Sequence, residues 1–176
     1  MTAGLYIHIP FCASKCDYCD FFSVVTNEAV HNDYVDALCR EIEERTRQDI
    51  LIDSVYFGGG TPSLLHVEQV DHILRTVRKC IQVAPHSEIT LEANPDTLDE
   101  RKISRMSNTG INRYSLGIQS FQQHLLDRAG RKRDQDSLPT LDAVARHCTN
   151  VSIDLIYGLP EQTPKQAIED GKLVPD

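Results

Sequence analysis

No stretch of this sequence approaches the roughly 20 consecutive apolar residues that cross a bilayer, and no basic segment followed by an apolar one opens it as a signal peptide would. A cytoplasmic location without a transmembrane segment is therefore expected. Positive charge is also scarce. Against 26 Asp and Glu there are 18 Lys and Arg, giving a formal charge of −8, which argues against general attraction to nucleic acid and for a small-molecule or protein partner. Low-complexity tracts and linker-like composition are missing, and 176 residues suffice for one domain with a substantial core. The last shortage is the most informative: Cys12, Cys16 and Cys19 stand on one short loop as a set of three, whereas a closed structural metal site normally takes four protein ligands.

Three thiolates so close together suit an iron–sulfur cluster with one iron left open to a small molecule. Two other uses of the same residues stand beside it. One is zinc held by the three cysteines with a histidine such as His8; the other is a dithiol formed by Cys16 and Cys19. Lys15, Asp17 and Asp20 make the loop polar, which argues against cysteines that merely pack. Cys39, Cys80 and Cys148 are scattered through helix-like segments and read as packing residues, since disulfides are rare in a reducing compartment.

Apolar β-rich runs at residues 5–9, 53–57, 87–92, 112–119 and 151–157 alternate with amphipathic stretches at about 28–48, 66–80, 97–108, 122–128 and 135–148. This βα repetition predicts an α/β fold with a parallel sheet and right-handed crossovers. Parity within the strands refines the prediction. Leu5, Ile7 and Ile9 share one face, opposite Tyr6 and His8; Tyr114, Leu116 and Ile118 oppose Arg113, Ser115, Gly117 and Gln119. Ile89 and Leu91 likewise oppose Thr90 and Glu92, and Ile153 opposes Ser152 and Asp154. A doubly wound sheet is covered on both faces and its strands are almost continuously apolar. The alternation here instead predicts a curled sheet with helices outside, a polar ligand-filled interior, and a site at the C-terminal strand ends. The cysteine loop, a glycine run, Glu92 and Gln119 all fall at those ends.

That glycine run, Gly58-Gly59-Gly60-Thr61-Pro62, follows a strand and lacks the Lys-Ser/Thr of a phosphate loop. Its expected use is to bring backbone N–H groups up to a small zwitterion. Glu92 ends a strand before Ala93-Asn94-Pro95, where a carboxylate can hold an ammonium group or ribose hydroxyls, or be simply solvated. Gln119 and Asp154 have apolar strand neighbours, so Asp154 is expected to be buried and to need a partner or ligand. Both also read as anchors for a loop. Within the basic cluster Arg128, Arg131, Lys132 and Arg133, only Arg131 is a candidate for a ligand carboxylate; such clusters usually form solvated helix ends. Tyr18, between the last two cysteines, offers an aromatic face to a planar base or a shield for the cluster.

Taken in order, Tyr6-Ile7-His8-Ile9-Pro10-Phe11-Cys12, the CxxxCxYC loop, Gly58-Gly59-Gly60-Thr61-Pro62, Glu92-Ala93-Asn94-Pro95, Gly117-Ile118-Gln119-Ser120-Phe121 and Asp154-Leu155-Ile156-Tyr157-Gly158-Leu159-Pro160 resemble the radical S-adenosylmethionine enzymes. Among these the match is to the oxygen-independent coproporphyrinogen III oxidase-like group, which includes haem chaperones. The resemblance implies a partial TIM-like barrel of about five βα units, with residues 1–176 forming an incomplete core domain and the family's C-terminal domain absent. It implies a 4Fe-4S cluster on Cys12, Cys16 and Cys19, with S-adenosylmethionine chelating the open iron through its amino and carboxylate groups. It also implies ligand contacts at Tyr6, Gly59 and Glu92, and further contacts at Tyr18, Gly60, Thr61, Gln119, Arg131 and Asp154. One electron, from a donor such as flavodoxin or ferredoxin, would cleave the sulfonium to methionine and a 5′-deoxyadenosyl radical. Haem or a porphyrin is the implied further partner. True coproporphyrinogen dehydrogenases carry another cysteine two residues after the third ligand; Phe21 stands here, which favours the haem-chaperone-like branch. Family members are longer, so impaired turnover is expected, and a non-catalytic module that keeps the cluster or carries haem is the alternative.

Overall fold

The computed structural model describes residues 2–45, 49–131 and 137–174. Five strands, β1 (Thr2–Ile9), β2 (Leu51–Gly59), β3 (Gln82–Ala93), β4 (Arg113–Gln119) and β5 (Val151–Leu155), form one all-parallel sheet in the order β1-β2-β3-β4-β5. Helices α1 (Glu28–Arg45), α2 (Val67–Cys80), α3 (Glu100–Ser107), α4 (Gln123–Arg128), α5 (Leu138–His147) and α6 (Pro164–Lys172) follow the strands one by one, except that α4 and α5 both follow β4. The expected helix positions 46–48 and 135–136, together with Lys132 and Arg133, lie outside the described residues.

The strand order decides the architecture. Right-handed crossovers between parallel neighbours that always advance in one direction put every crossover on the same face; a doubly wound sheet needs a reversal of order to cover both. The outward face is correspondingly apolar. Ile7, Ile9, Val55, Phe57, Leu91, Tyr114, Leu116 and Ile118 are buried with Val70, Ile73, Leu74 and Val77 of α2, Ile103 and Met106 of α3, and Leu141 and Val144 of α5 in one core. Each large apolar side chain so buried contributes about 1.5–3 kcal/mol. The opposite face carries in-register rows of polar side chains, Tyr6–Tyr56–Thr90–Arg113 and Glu92–Ser115–Ser152.

The helix termini are encoded locally. Asn27 Oδ1 accepts from the Val30 amide at 3.2 Å, and Asp99 Oδ1 caps α3 through the Lys102 amide at 2.6 Å. Thr163 and Gln166 form a capping box around Pro164, which needs no N–H at that position. Several boundaries differ from expectation, β1 and β2 being longer than the apolar runs that announced them. Strand β3 starts at Gln82 rather than 87, because Leu51 and Ile52 pair with Gln82 and Val83 before a register break that accommodates Pro85. Strand β5 stops at Leu155, after which the chain turns away before Tyr157.

Candidate cofactor site

The C-terminal ends of the strands line an open cleft, the place where ligands bind in folds of this kind. Cys12, Cys16, Tyr18 and Cys19 form one wall. Gly59, Gly60, Thr61, Glu92, Gln119, Arg131 and Asp154 also line the cleft, as do Asn94 and Ser115. Tyr6 is the expected contact that does not line the cleft; its ring stacks on Tyr56, with centroids 6.2 Å apart.

The cysteine loop has little secondary structure of its own and is tied down at both ends. Cys12 N–H donates to Val24 O at 3.0 Å and Val24 N–H to Pro10 O at 2.7 Å, a short parallel bridge beside β1. Asp17 N–H donates to Ala129 O at 3.1 Å, just past α4. All six cysteines are free; Cys39 and Cys148 are buried and Cys80 is partly so. Burial pushes the Cys39 thiol up, as suits an inert packing residue. Thr61 Oγ1 donates to Cys12 Sγ at 3.7 Å, which joins the glycine segment to a cysteine sulfur. Among the described residues no three His, Cys, Asp or Glu side chains converge as a single-ion site. His8 is engaged through both ring nitrogens, with Tyr6 Oη at 3.1 Å and Phe22 O at 3.2 Å. A cluster binds each thiolate through a separate iron, so its three cysteines need not converge on one ion as zinc ligands must.

The glycine run differs from its expected use. Gly59 N–H donates to Glu92 Oε2 at 3.1 Å, Gly60 N–H to Ile9 O at 2.8 Å, and Thr61 N–H to Phe11 O at 2.6 Å. These donors serve the protein itself. Gly59 has φ +115°, and a Cβ there would lie 2.5 Å from His8 Cε1; a Cβ on Gly60 would lie 2.6 Å from Phe11 O. The glycines therefore let β2 and its exit loop press against β1 and the start of the cysteine loop.

Glu92 is held from two sides. Tyr56 Oη donates to its Oε1 at 2.6 Å, opposite the Gly59 amide. Burial first, and this carboxylate second, push the Tyr56 phenol above its ordinary value, and the same two causes raise Tyr6. Both phenols thus remain proton donors at neutral pH, and Glu92 is a fixed acceptor for an ammonium or hydroxyl group.

Arg131 is 9 % exposed. Its Nη1 donates to Tyr18 Oη at 3.2 Å; its Nη2 donates to Asn94 Oδ1 at 2.9 Å and to Gly117 O at 2.5 Å. A single guanidinium so joins the cysteine loop to the ends of β3 and β4, while Arg128 pairs at the surface with Glu161. Burial pushes the Tyr18 phenol up to about 12, although the neighbouring guanidinium pulls it down. Asn94 also donates to Thr61 Oγ1 at 3.3 Å.

Asp154 corrects an expectation: it is exposed, not buried. Strand β5 has a paired neighbour on one side only, so the apolar residues flanking Asp154 do not enclose it. Ser115 Oγ donates to its Oδ2 at 3.3 Å. Gln119 sits at a register break with φ +66°, the left-handed region that costs a non-glycine residue about 1–3 kcal/mol. Tyr56, Asn94 and Ser115 carried no expectation of a role. Tyr56 shares strand parity with the polar face, a signal that was available; Asn94 and Ser115 become meaningful only through their partners.

Comparison with known proteins gives a consistent outcome. Residues 6–174 match the model of the Radical SAM superfamily. The chain is 44 % identical over 171 residues to "Heme chaperone HemW" of Synechocystis sp., covering 93 % of this chain and 42 % of that protein. It is 38 % identical over 177 residues to "Anaerobilin synthase" of Escherichia coli O157:H7, covering 94 % and 39 %. Coproporphyrinogen III oxidase (HemN) from Escherichia coli, described as a radical SAM enzyme, superposes with a TM-score of 0.89 at 31 % identity over 96 % of this chain and 40 % of that one. The chain thus spans less than half the length of these relatives, and its five strands are a partial TIM-like barrel. No helix among the described residues is long and apolar enough to cross a membrane.

Proposed function

The chain belongs to the radical SAM superfamily, and from that premise we propose that it holds a 4Fe-4S cluster on Cys12, Cys16 and Cys19 and binds S-adenosylmethionine in the adjoining cleft. The observation that carries this reading is convergence: three free thiols and an acceptor fixed from two sides, Glu92, line one cleft at the strand ends. Soft thiolates are the ligands iron–sulfur clusters use. Bound together, the cluster and S-adenosylmethionine supply one-electron cleavage of a carbon–sulfur bond.

The chain's own residues supply binding, orientation and exclusion of water. Cys12, Cys16 and Cys19 hold the cluster, and Arg131 keeps their loop closed against β3 and β4. Glu92 accepts from the ligand's ammonium or hydroxyl groups without reorganising, because Tyr56 and Gly59 already fix both oxygens. Gln119 and Asp154 present an amide and a carboxylate from the far side of the cleft. Tyr18, Gly60 and Thr61 complete its lining, and Tyr6 acts at one remove by packing on Tyr56.

We place the protein on the haem-chaperone-like side of its family, with a role in haem or porphyrin metabolism. Phe21 in place of a further cysteine supports this, as does the relative named as a haem chaperone. Haem or a porphyrin is the proposed further partner, a flavodoxin- or ferredoxin-like protein the electron donor, and the cytoplasm the location.

Anaerobic reconstitution with iron and sulfide tests the reading. The expected product is brown and contains iron and sulfide in equal amounts, and its reduced cluster gives a paramagnetic resonance spectrum that changes when S-adenosylmethionine is added. A brown protein that ignores S-adenosylmethionine would point to the non-catalytic module, and a colourless one to neither.

A further inference from the structure

Asp170, on α6, is 2 % exposed, although α6 contributes no residue to the cleft wall. Its carboxylate accepts from four neutral donors: Ser120 Oγ at 2.7 Å, Phe121 N–H at 3.0 Å, Gln122 Nε2 at 3.4 Å and Gln162 Nε2 at 3.4 Å. Three of these come from the turn after β4 and one from the loop after β5. Burying a carboxylate is costly unless its acceptors are satisfied. Mere closure of a helix onto this spot would be better served by an apolar side chain.

The backbone gives a reason for the expense. Among the described residues only two other than glycine have a left-handed backbone, Gln119 (φ 66°) and Glu161 (φ 63°). Each immediately precedes a segment that Asp170 grips, at Ser120 and at Gln162. Gln162 in turn accepts from Gly158 N–H at 2.7 Å and Leu159 N–H at 3.3 Å through its Oε1, so the β5 loop is folded around the same side chain. The two segments also meet each other, since Ile156 N–H donates to Gln119 O at 2.8 Å. Unfavourable backbone conformations persist where surrounding contacts over-determine them, and here those contacts meet at one carboxylate.

We propose that Asp170 is a positioning residue that latches the ends of β4 and β5, holding Gln119 in its left-handed conformation so that its side chain faces the cleft. The consequence for affinity rests on the S-adenosylmethionine reading of that cleft; the latch itself does not. Two measurements separate them. In the apo chain, amide hydrogen exchange at Phe121 is expected to accelerate about tenfold in Asp170→Asn, which sets a donor against donors. Gln119 carbon shifts should then leave their left-handed values, while amides of β1 and β2 keep their wild-type rates. Should Asp170→Asn fail to fold, Gln122→Ala carries the test, with roughly a twofold to fourfold acceleration confined to the same turn.

An unchanged Phe121 amide, or equal acceleration in β1 and β2, overturns the latch and leaves Asp170 a general stabiliser. In reconstituted protein, equilibrium dialysis should show S-adenosylmethionine binding about tenfold weaker in Asp170→Asn. Wild-type affinity despite a mobilised turn overturns the link to the cleft and leaves the functional reading intact. Absence of binding in the wild type overturns that reading and the link with it, while the exchange data still decide the latch.

Discussion

The two faces of the sheet are built from the same five strands and do opposite work. Outward, Ile7, Phe57, Leu91, Leu116 and Ile118 are fully enclosed by helices, and their contribution grows with the apolar area removed from water. Inward, Tyr56 is hydrogen-bonded to Glu92, and Arg113, Ser152, Ser115 and Asp154 form a second hydrogen-bonded chain; Glu92, Ser115 and Asp154 line the cleft. An apolar face tolerates many sequences of similar volume. A polar face has directional partners, so it fixes orientation while contributing less stability. Stability and ligand placement are therefore separable in this molecule, strand by strand.

Substitutions can break or sharpen that separation. The largest functional effect should come from Cys16→Ser: iron and sulfide after anaerobic reconstitution fall to background, while apo unfolding by urea changes by less than about 0.5 kcal/mol, as expected of a partly exposed loop residue. A large stability loss would mean the cysteine loop is part of the core after all. Phe57→Ala on the outer face should lower unfolding free energy by about 3–5 kcal/mol, seen as an earlier urea midpoint. If reconstitution fails in conditions where that variant remains folded, the faces are coupled. Next comes Glu92→Gln. S-adenosylmethionine affinity measured by dialysis should drop about tenfold, with stability within about 1 kcal/mol of wild type, because an amide keeps one acceptor for Tyr56 or Gly59 but loses the charge. The smallest effect belongs to the surface. Glu161→Gln removes the exposed pair with Arg128 and should shift the unfolding free energy by no more than about 0.5 kcal/mol in either direction; a larger change would show that the strained backbone at this position depends on the charge.

Much of the fold was legible because period-2 alternation survives in every strand. Leu116 against Ser115, or Leu91 against Glu92, states which side is core before any partner is known. Legibility failed where a residue's meaning depended on a chain segment far away in sequence. The glycines after Phe57 suggested N–H groups offered to a ligand, yet those donors meet Glu92, Ile9 and Phe11. Arg131 suggested a ligand carboxylate, and nothing in its surroundings in sequence announced that its guanidinium also joins Tyr18, Asn94 and Gly117. Asp154 was expected to be buried from its neighbours Ile153 and Leu155, but burial also needs a second flanking strand, which β5 lacks among the described residues. Asp170 gave no signal at all, since an acidic residue on a nine-residue helix ordinarily faces water.

The amino-acid sequence by itself determined the βα alternation, the polar inner face, the cysteine set and the family. These are properties of local order, carried by spacing and by the alternation of side chains along a strand. The tertiary structure supplied the strand order, unbroken from β1 to β5, through which the helices-outside arrangement expected from the alternation is realised. It also decided which donors are spent holding the site together and which groups remain for a ligand. A hydrogen bond is satisfied by whichever group lies within about 3 Å, and only the folded chain brings Asp170 to Phe121, or Arg131 to Tyr18, within that distance.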